Sequence, residues 1–171
     1  MRAFLRAAAG KELNVMFPMI SDVSEFEEAK ETLLIELEKE KRRGTPIPSR
    51  VNVGLMIEVP SIVFQLEDVL KQADFISIGT NDLTQYTLAI DRQNEQLDDF
   101  YNPHHEAVLR MIRMVVENAH KCGKWAGICG ELGADLTLTE QFVRMGVDEL
   151  SVAPSMILKL RKIVREMKAE E

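Results

Sequence analysis

Three apolar, β-forming runs in this chain each end in a side chain capable of chemistry. Glu58 closes the run from Val51 to Ile57. Gly79-Thr80-Asn81-Asp82-Leu83 follows the run from Asp74 to Ile78, so an amide and a carboxylate sit side by side at its end. Cys129 closes the run from Trp125 to Ile128. Parallel α/β proteins place their ligands beyond the carboxyl ends of their strands. A carboxylate, an Asn-Asp pair and a thiol at such ends point to one metal-assisted site. Two hard carboxylates with few other protein ligands are what Mg²⁺ takes when a phosphate completes its shell, and such an ion neutralises phosphoryl oxygens.

Each residue also has a plainer reading. Glu58 can be an exposed strand-end carboxylate, although a Glu ending an apolar strand needs a partner if it is buried. Asn81-Asp82 can simply cap the turn after its strand. Arg92, in the connection after Asp82, can be a surface arginine paired with Asp91, or a forked donor to phosphate or carboxylate. Cys129 can be a small buried hydrophobe. Its flanking glycines, Gly127 and Gly130, instead permit close approach of a ligand to the backbone, and a thiol can move a proton, with Glu131 near enough to tune it. His104, His105 and His120 have no metal-ligand spacing; His104-His105 reads as a helix start.

These residues must be carried by alternating strands and helices. The 171 residues fit one domain, and an apolar content of 46% supplies a core. Strands are expected over 13–17, 51–57, 75–78, 125–128 and about 149–152. Helices are expected between and after them. The first long one opens on a Ser24-x-x-Glu27 capping box and ends in Lys41-Arg42-Arg43 before Gly44. Ile62 to Leu70 make the face of the next, a longer connection runs from Gly79 to Pro103, and Val108 to Ala119 form a further stripe. A helix is expected from about Asp135 to Met145, stopped by Gly146, and Met156 to Met167 close the chain. The strands show no clean polar alternation, which suits a parallel sheet covered on both faces. Two architectures fit: an open doubly wound sheet, or the later part of an eight-stranded barrel. Units of about 30 to 35 residues make a closed barrel of about 250 residues, so 171 cannot close one alone.

Formal net charge is −7, which argues against nucleic acid as the main partner. No apolar run reaches the roughly 20 residues of a membrane span, and the opening segment is too interrupted for a signal peptide. The two cysteines form no Cys-x-x-Cys pair and read as free thiols of a reducing, cytoplasmic compartment.

The segments Gly54–Pro60, Ser77–Arg92 and Gly127–Glu131, with Met16–Met19 and Gly146–Ser151, resemble the carboxyl-terminal domain of phosphoenolpyruvate-utilising enzymes. The resemblance covers nearly the whole chain and is nearest the branch that serves the bacterial sugar phosphotransferase system. It implies an α/β fold, a partial TIM (β/α)₈ barrel of about the last five βα units. It implies a phosphoenolpyruvate–protein phosphotransferase activity: Mg²⁺-dependent transfer of the phosphoryl group from phosphoenolpyruvate to an enzyme histidine, releasing pyruvate. Carried over by motif, Glu58 and Asp82 would bind Mg²⁺, and Asn81, Asp82 and Arg92 would contact phosphoenolpyruvate. Cys129 would protonate the pyruvate enolate at carbon 3. The implied partners are a histidine-containing phosphocarrier protein, reached through an amino-terminal domain, and a second copy of the chain in a homodimer. The phosphohistidine and carrier-binding domains and roughly three strands of the barrel are not matched. The expectation is therefore a fragment that does not turn over alone. The alternatives are a fragment of pyruvate phosphate dikinase or phosphoenolpyruvate synthase, a catalytically silent dimerisation module, and a flavodoxin-like binding domain, the last disfavoured because no acidic cluster follows the first strand.

Overall fold

The computed structural model describes residues 1–167. Helix α1 (Arg2–Ala7) precedes strand β1 (Glu12–Phe17), and α2 (Val23–Arg42) leads to β2 (Arg50–Ile57). Two single-turn helices, α3 (Pro60–Val63) and α4 (Leu66–Val69), connect to β3 (Phe75–Gly79). Helix α5 (Thr80–Leu88), a 3₁₀ stretch (Glu95–Phe100) and α6 (Glu106–Lys121) lead to β4 (Trp125–Cys129). Helices α7 (Glu131–Ala134) and α8 (Thr139–Met145), β5 (Glu149–Leu150) and α9 (Pro154–Glu166) are the last elements of the described residues.

The five strands are parallel and lie in chain order, β1-β2-β3-β4-β5. A doubly wound sheet requires the order to reverse at a switch point; here it never does. Right-handed crossovers between consecutive strands then put the connecting helices on the same side. This corrects the expectation of a sheet covered on both faces. Val53, Leu55, Ile57, Ile76, Ile78, Ala126 and Ile128 are buried in one core with Phe26, Leu33, Val108, Ile112, Val116 and Phe142 from the helices. Residues of the other parity, among them Gly54, Met56, Ser77, Gly127 and Cys129, form the opposite, concave face. The alternation is therefore present. It is hidden toward the ends of β2, β3 and β4, where the concave positions hold small or apolar residues; charged and amide side chains occupy that face only at Glu12, Asn14, Arg50, Asn52 and Glu149 among the paired strand residues.

Phe75 and Trp125 stack on that concave face, ring centroids 4.6 Å apart and planes 4° from parallel. Gly54 makes the stack possible, since a Cβ there would lie 2.6 Å from the Phe75 ring. Below it, Asp74 and Asp148 repeat one device. Each takes a backbone N–H of the preceding strand on its carboxylate, Val53 and Ala126 respectively, and returns its own N–H to the same residue's carbonyl.

Several helix boundaries differ from expectation. The cap of α2 is Asp22, whose carboxylate accepts from Ser24 N–H at 2.9 Å, while Glu25 takes the Ser21 N–H and hydroxyl; the Ser24–Glu27 box does not form. The helix from Ile62 to Leu70 is broken at Phe64-Gln65, which leaves Phe64 exposed. The connection from Gly79 is helical from Thr80, and the helix expected from Asp135 is two short pieces. Strand β5 is shorter than expected. Gly44 and Gly146 take positive φ beyond their helices, as C-cap glycines do, and His105 caps α6 by accepting from Ala107 N–H.

Glu40, at the end of α2, is fully buried and gripped by Arg6 at 2.7 Å and Arg43 at 2.6 Å. The Arg6 guanidinium first, with Arg43 and Thr45 behind it, outweighs burial and holds this carboxyl at about 2, against an ordinary 4.5. A carboxyl lowered in the folded state stabilises fully above its unfolded value and loses that contribution as pH falls through the folded one. The chain is therefore expected to lose stability between about pH 5 and pH 2. In urea denaturation followed across that range, Glu40→Gln should show a visibly flatter pH dependence; an equally steep one would remove this assignment.

Candidate functional site at the strand C-termini

The site is built where β2, β3 and β4 end. Register aligns Ile57 with Ile78, and Ile78 with Ile128. The next residues, Glu58, Gly79 and Cys129, therefore reach the concave face at one level. Gly79 pairs directly with Cys129, and its missing side chain leaves the room that Glu58 occupies: a Cβ at Gly79 would lie 2.8 Å from Glu58 Oε2.

Glu58 is buried, with 3% of its surface exposed, so the reading as a solvated strand end is wrong. The backbone N–H of Met19 donates to its Oε1 at 2.6 Å. Met19 lies in the turn after β1 with φ 57°, a left-handed conformation costly for a residue with a side chain. Burial pushes the Glu58 carboxyl up from its ordinary value; the Met19 hydrogen bond opposes this, and the negative charge of Asp82 adds to it.

Asp82 stands in the first turn of α5. Arg92 approaches it at 3.7 Å, each side chain about one-third exposed. The chain reaches Arg92 by turning back at Ala89, whose φ of 54° ends α5, and Gln85 Oε1 accepts the Arg92 N–H at 3.1 Å. Arg92 thus pairs across the site with Asp82. Its contact is long enough for an anionic ligand to take over the guanidinium. Tyr101, which no motif singles out, joins this group. Burial raises its phenol, the charge of Glu131 adds to this, and Arg92 opposes it.

The ends of β3 and β4 are stapled together. Thr80 Oγ1 donates to the Cys129 carbonyl at 3.0 Å, and the Glu131 N–H donates to Asn81 Oδ1 at 2.9 Å. Asn81 is thus oriented through its oxygen, which leaves its amide N–H groups for a ligand. Gly130, with φ 99°, packs so closely that a Cβ would lie 2.6 Å from Thr80 Oγ1 and 2.8 Å from Asn81 Oδ1. Cys129 is partly buried and Cys122 exposed. His104 and His120 bind Asp135 at 2.6 Å and Asp148 at 2.9 Å, outside this group.

The carboxylates fit a divalent cation. Burial first, and the neighbouring charge of Asp82 after it, raise the proton affinity of Glu58, and a cation held by the two carboxylates would relieve both. No group of three or more His, Cys, Asp and Glu side chains among the described residues could hold a metal, so water or substrate oxygens would supply the remaining ligands, as Mg²⁺ prefers. Among the same residues, no helix is long and apolar enough to cross a membrane.

Parallel βα units in chain order, with ionisable side chains gathered at the strand C-termini, define a segment of a (β/α)₈ barrel with its site on the usual face. Solved structures agree on the fold. A Haloferax volcanii malate synthase matches over 90% of this chain and 42% of its own, with TM-score 0.63 and 15% identity. A citrate lyase from Burkholderia xenovorans matches over 88% and 48%, with TM-score 0.61 and 19% identity. The chain belongs to the PEP-utilising enzymes: the model of that family's PEP-binding domain matches residues 1–169. It is 42% identical over its whole length to a phosphoenolpyruvate-protein phosphotransferase of Listeria monocytogenes and 43% identical to one of Bacillus subtilis. It spans 30% of the length of each.

The staple has a direct test. Gly130→Ala must both strain a positive φ and displace Thr80 or Asn81. It is expected to destabilise the chain by roughly 1–3 kcal/mol in urea denaturation. A change within about 0.5 kcal/mol, the usual range of an inconsequential surface substitution, would show that the two strand ends are not coupled there.

Proposed function

We propose that this chain is the phosphoenolpyruvate-binding part of a phosphoenolpyruvate–protein phosphotransferase of the sugar phosphotransferase system. The observation that carries this reading is the buried Glu58, opposed by the charge of the partly exposed Asp82 that Arg92 approaches, beside the strand ends that hold Asn81 and Cys129, in a chain of this family. Glu58 and Asp82 hold Mg²⁺, which when bound neutralises phosphoryl oxygens. Arg92 exchanges its long contact with Asp82 for an anionic group of phosphoenolpyruvate, and Asn81 donates to the same ligand. A histidine nitrogen of another domain attacks phosphorus, and the bond from phosphorus to the enolate oxygen breaks. The enolate then takes the Cys129 thiol proton at carbon 3 and leaves as pyruvate. The phosphoryl group passes from that histidine to a histidine-containing phosphocarrier protein.

The complete protein is read as cytoplasmic and homodimeric. Open β1 and β5 edges support self-association, because unpaired strand edges recruit partners. The relatives carry the phosphotransferase name rather than that of a dikinase or a phosphoenolpyruvate synthase, so those alternatives are not favoured.

Calorimetry of phosphoenolpyruvate with this chain, with and without Mg²⁺, tests the reading. Binding is expected only with the metal, and Asp82→Ala should weaken it by roughly tenfold or more, as loss of a charge-assisted contact of about 1.5–3 kcal/mol implies. Unchanged binding by Asp82→Ala would remove the metal assignment. Tight self-association of a folded chain without ligand binding would favour the silent dimerisation module.

A further inference from the structure

Ser77 lies on the concave face of β3, two residues before Gly79, and the reaction described above gives it no task. Its Oγ is 3.5 Å from Cys129 Sγ. The same sulfur is 3.5 Å from the carbonyl oxygen of Ile78. A carbonyl can only accept, whereas a thiol has one proton to give and a weakly accepting sulfur. Both contacts are hydrogen bonds in one arrangement alone: Cys129 S–H donates to Ile78 O, and Ser77 O–H donates to Cys129 Sγ. Ser77 is only 9% exposed, and a buried hydroxyl requires a partner; among the described residues the sulfur is that partner. The backbone beneath is fixed separately, by Thr80 on the Cys129 carbonyl. Ser77 therefore acts on the side-chain torsion and Thr80 on the main chain.

We infer that Ser77 is the positioning residue of the Cys129 thiol, holding it in one rotamer with its proton parked on the Ile78 carbonyl. The inference rests on Cys129 being the proton donor to the enolate. In that step the S–H bond breaks and its proton forms the new C–H bond at carbon 3 with the enolate's electron pair. The sulfur keeps the S–H electrons, still accepts from Ser77, and regains a proton from solvent water. An unheld thiol would sample rotamers that point away from carbon 3, and misplacement of a reacting group by about 1 Å can cost on the order of 10² in rate.

The test is spectroscopic first. Cys122→Ser leaves Cys129 as the one thiol of the chain, and its S–H infrared stretch falls where other protein groups do not absorb. The parent should give one narrow band. Ser77→Ala should broaden it and move it to higher frequency, and Ser77→Thr, which keeps the hydroxyl, should restore it. Ser77→Gly replaces the alanine variant if that does not fold. An unmoved band in folded Ser77→Ala or Ser77→Gly overturns the inference, whatever the chemistry. The proton-donor reading is tested apart, by solvent-deuterium incorporation into the methyl group of pyruvate with Mg²⁺. Exchange should be lost in Cys129→Ala. It should fall roughly tenfold or more in Ser77→Ala with KM for pyruvate unchanged. A moved band with exchange indifferent to Cys129→Ala would keep Ser77 as the thiol's holder and overturn its use in this reaction.

Discussion

A carboxylate buried at the end of an apolar strand is the constraint around which this molecule is arranged. Glu58 is almost without solvent and is opposed by the charge of Asp82. One directed hydrogen bond, from the Met19 amide, holds it. Burying such a group costs stability unless it is paired, and among the described residues no cationic side chain forms an ion pair with it. The surroundings nonetheless preserve the arrangement. Met19 adopts a left-handed conformation that aims its N–H at Glu58. Gly79 gives up a side chain that would strike Oε2. Strain and omission of this kind persist where a ligand makes use of them.

The fold supplies the level platform that this arrangement needs. Aliphatic residues of β2, β3 and β4 face the helices and set the register by their burial, so the residue after each run arrives at the same height on the other face. That face carries glycine, serine and methionine where a sheet packed on both sides would carry large aliphatics. The staple of Thr80, Asn81, Cys129 and Glu131 then joins two loops that lie about fifty residues apart in the chain. Asp82 and Cys129 are thereby placed by one rigid unit rather than by two independent loops.

Much of this was legible in the residues. Apolar runs gave all five strands, and Glu58, Asn81, Asp82 and Cys129 stood out because each follows such a run. Less legible was whatever depends on the third dimension. Ser77 looked like an ordinary strand residue, since nothing in sequence says which side chain lies beside Cys129. Met19 acts through its backbone, which carries no signature. Tyr101 enters through a long connection that carries it back beside Arg92 and Glu131. The choice between a barrel and a doubly wound sheet depended on strand order, which the hydrophobic pattern does not encode. The helix from Ile62 to Leu70 failed at Phe64-Gln65 because a periodic stripe survives a break that keeps both halves on the same face.

On this reading Glu58 is kept as an anion for a cation and its ligand, and not for the fold. Thermal unfolding of Glu58→Gln against the parent, each without metal, with Mg²⁺, and with Mg²⁺ plus phosphoenolpyruvate, separates the two roles. A ligand that binds only the folded chain raises its melting temperature. The metal-free variant should be at least as stable as the parent, because a buried charge has been removed. The rise given by Mg²⁺ and phosphoenolpyruvate should appear in the parent alone. A variant that is less stable without metal, yet gains the same rise, would show that Glu58 serves the fold and that the ligand is held elsewhere.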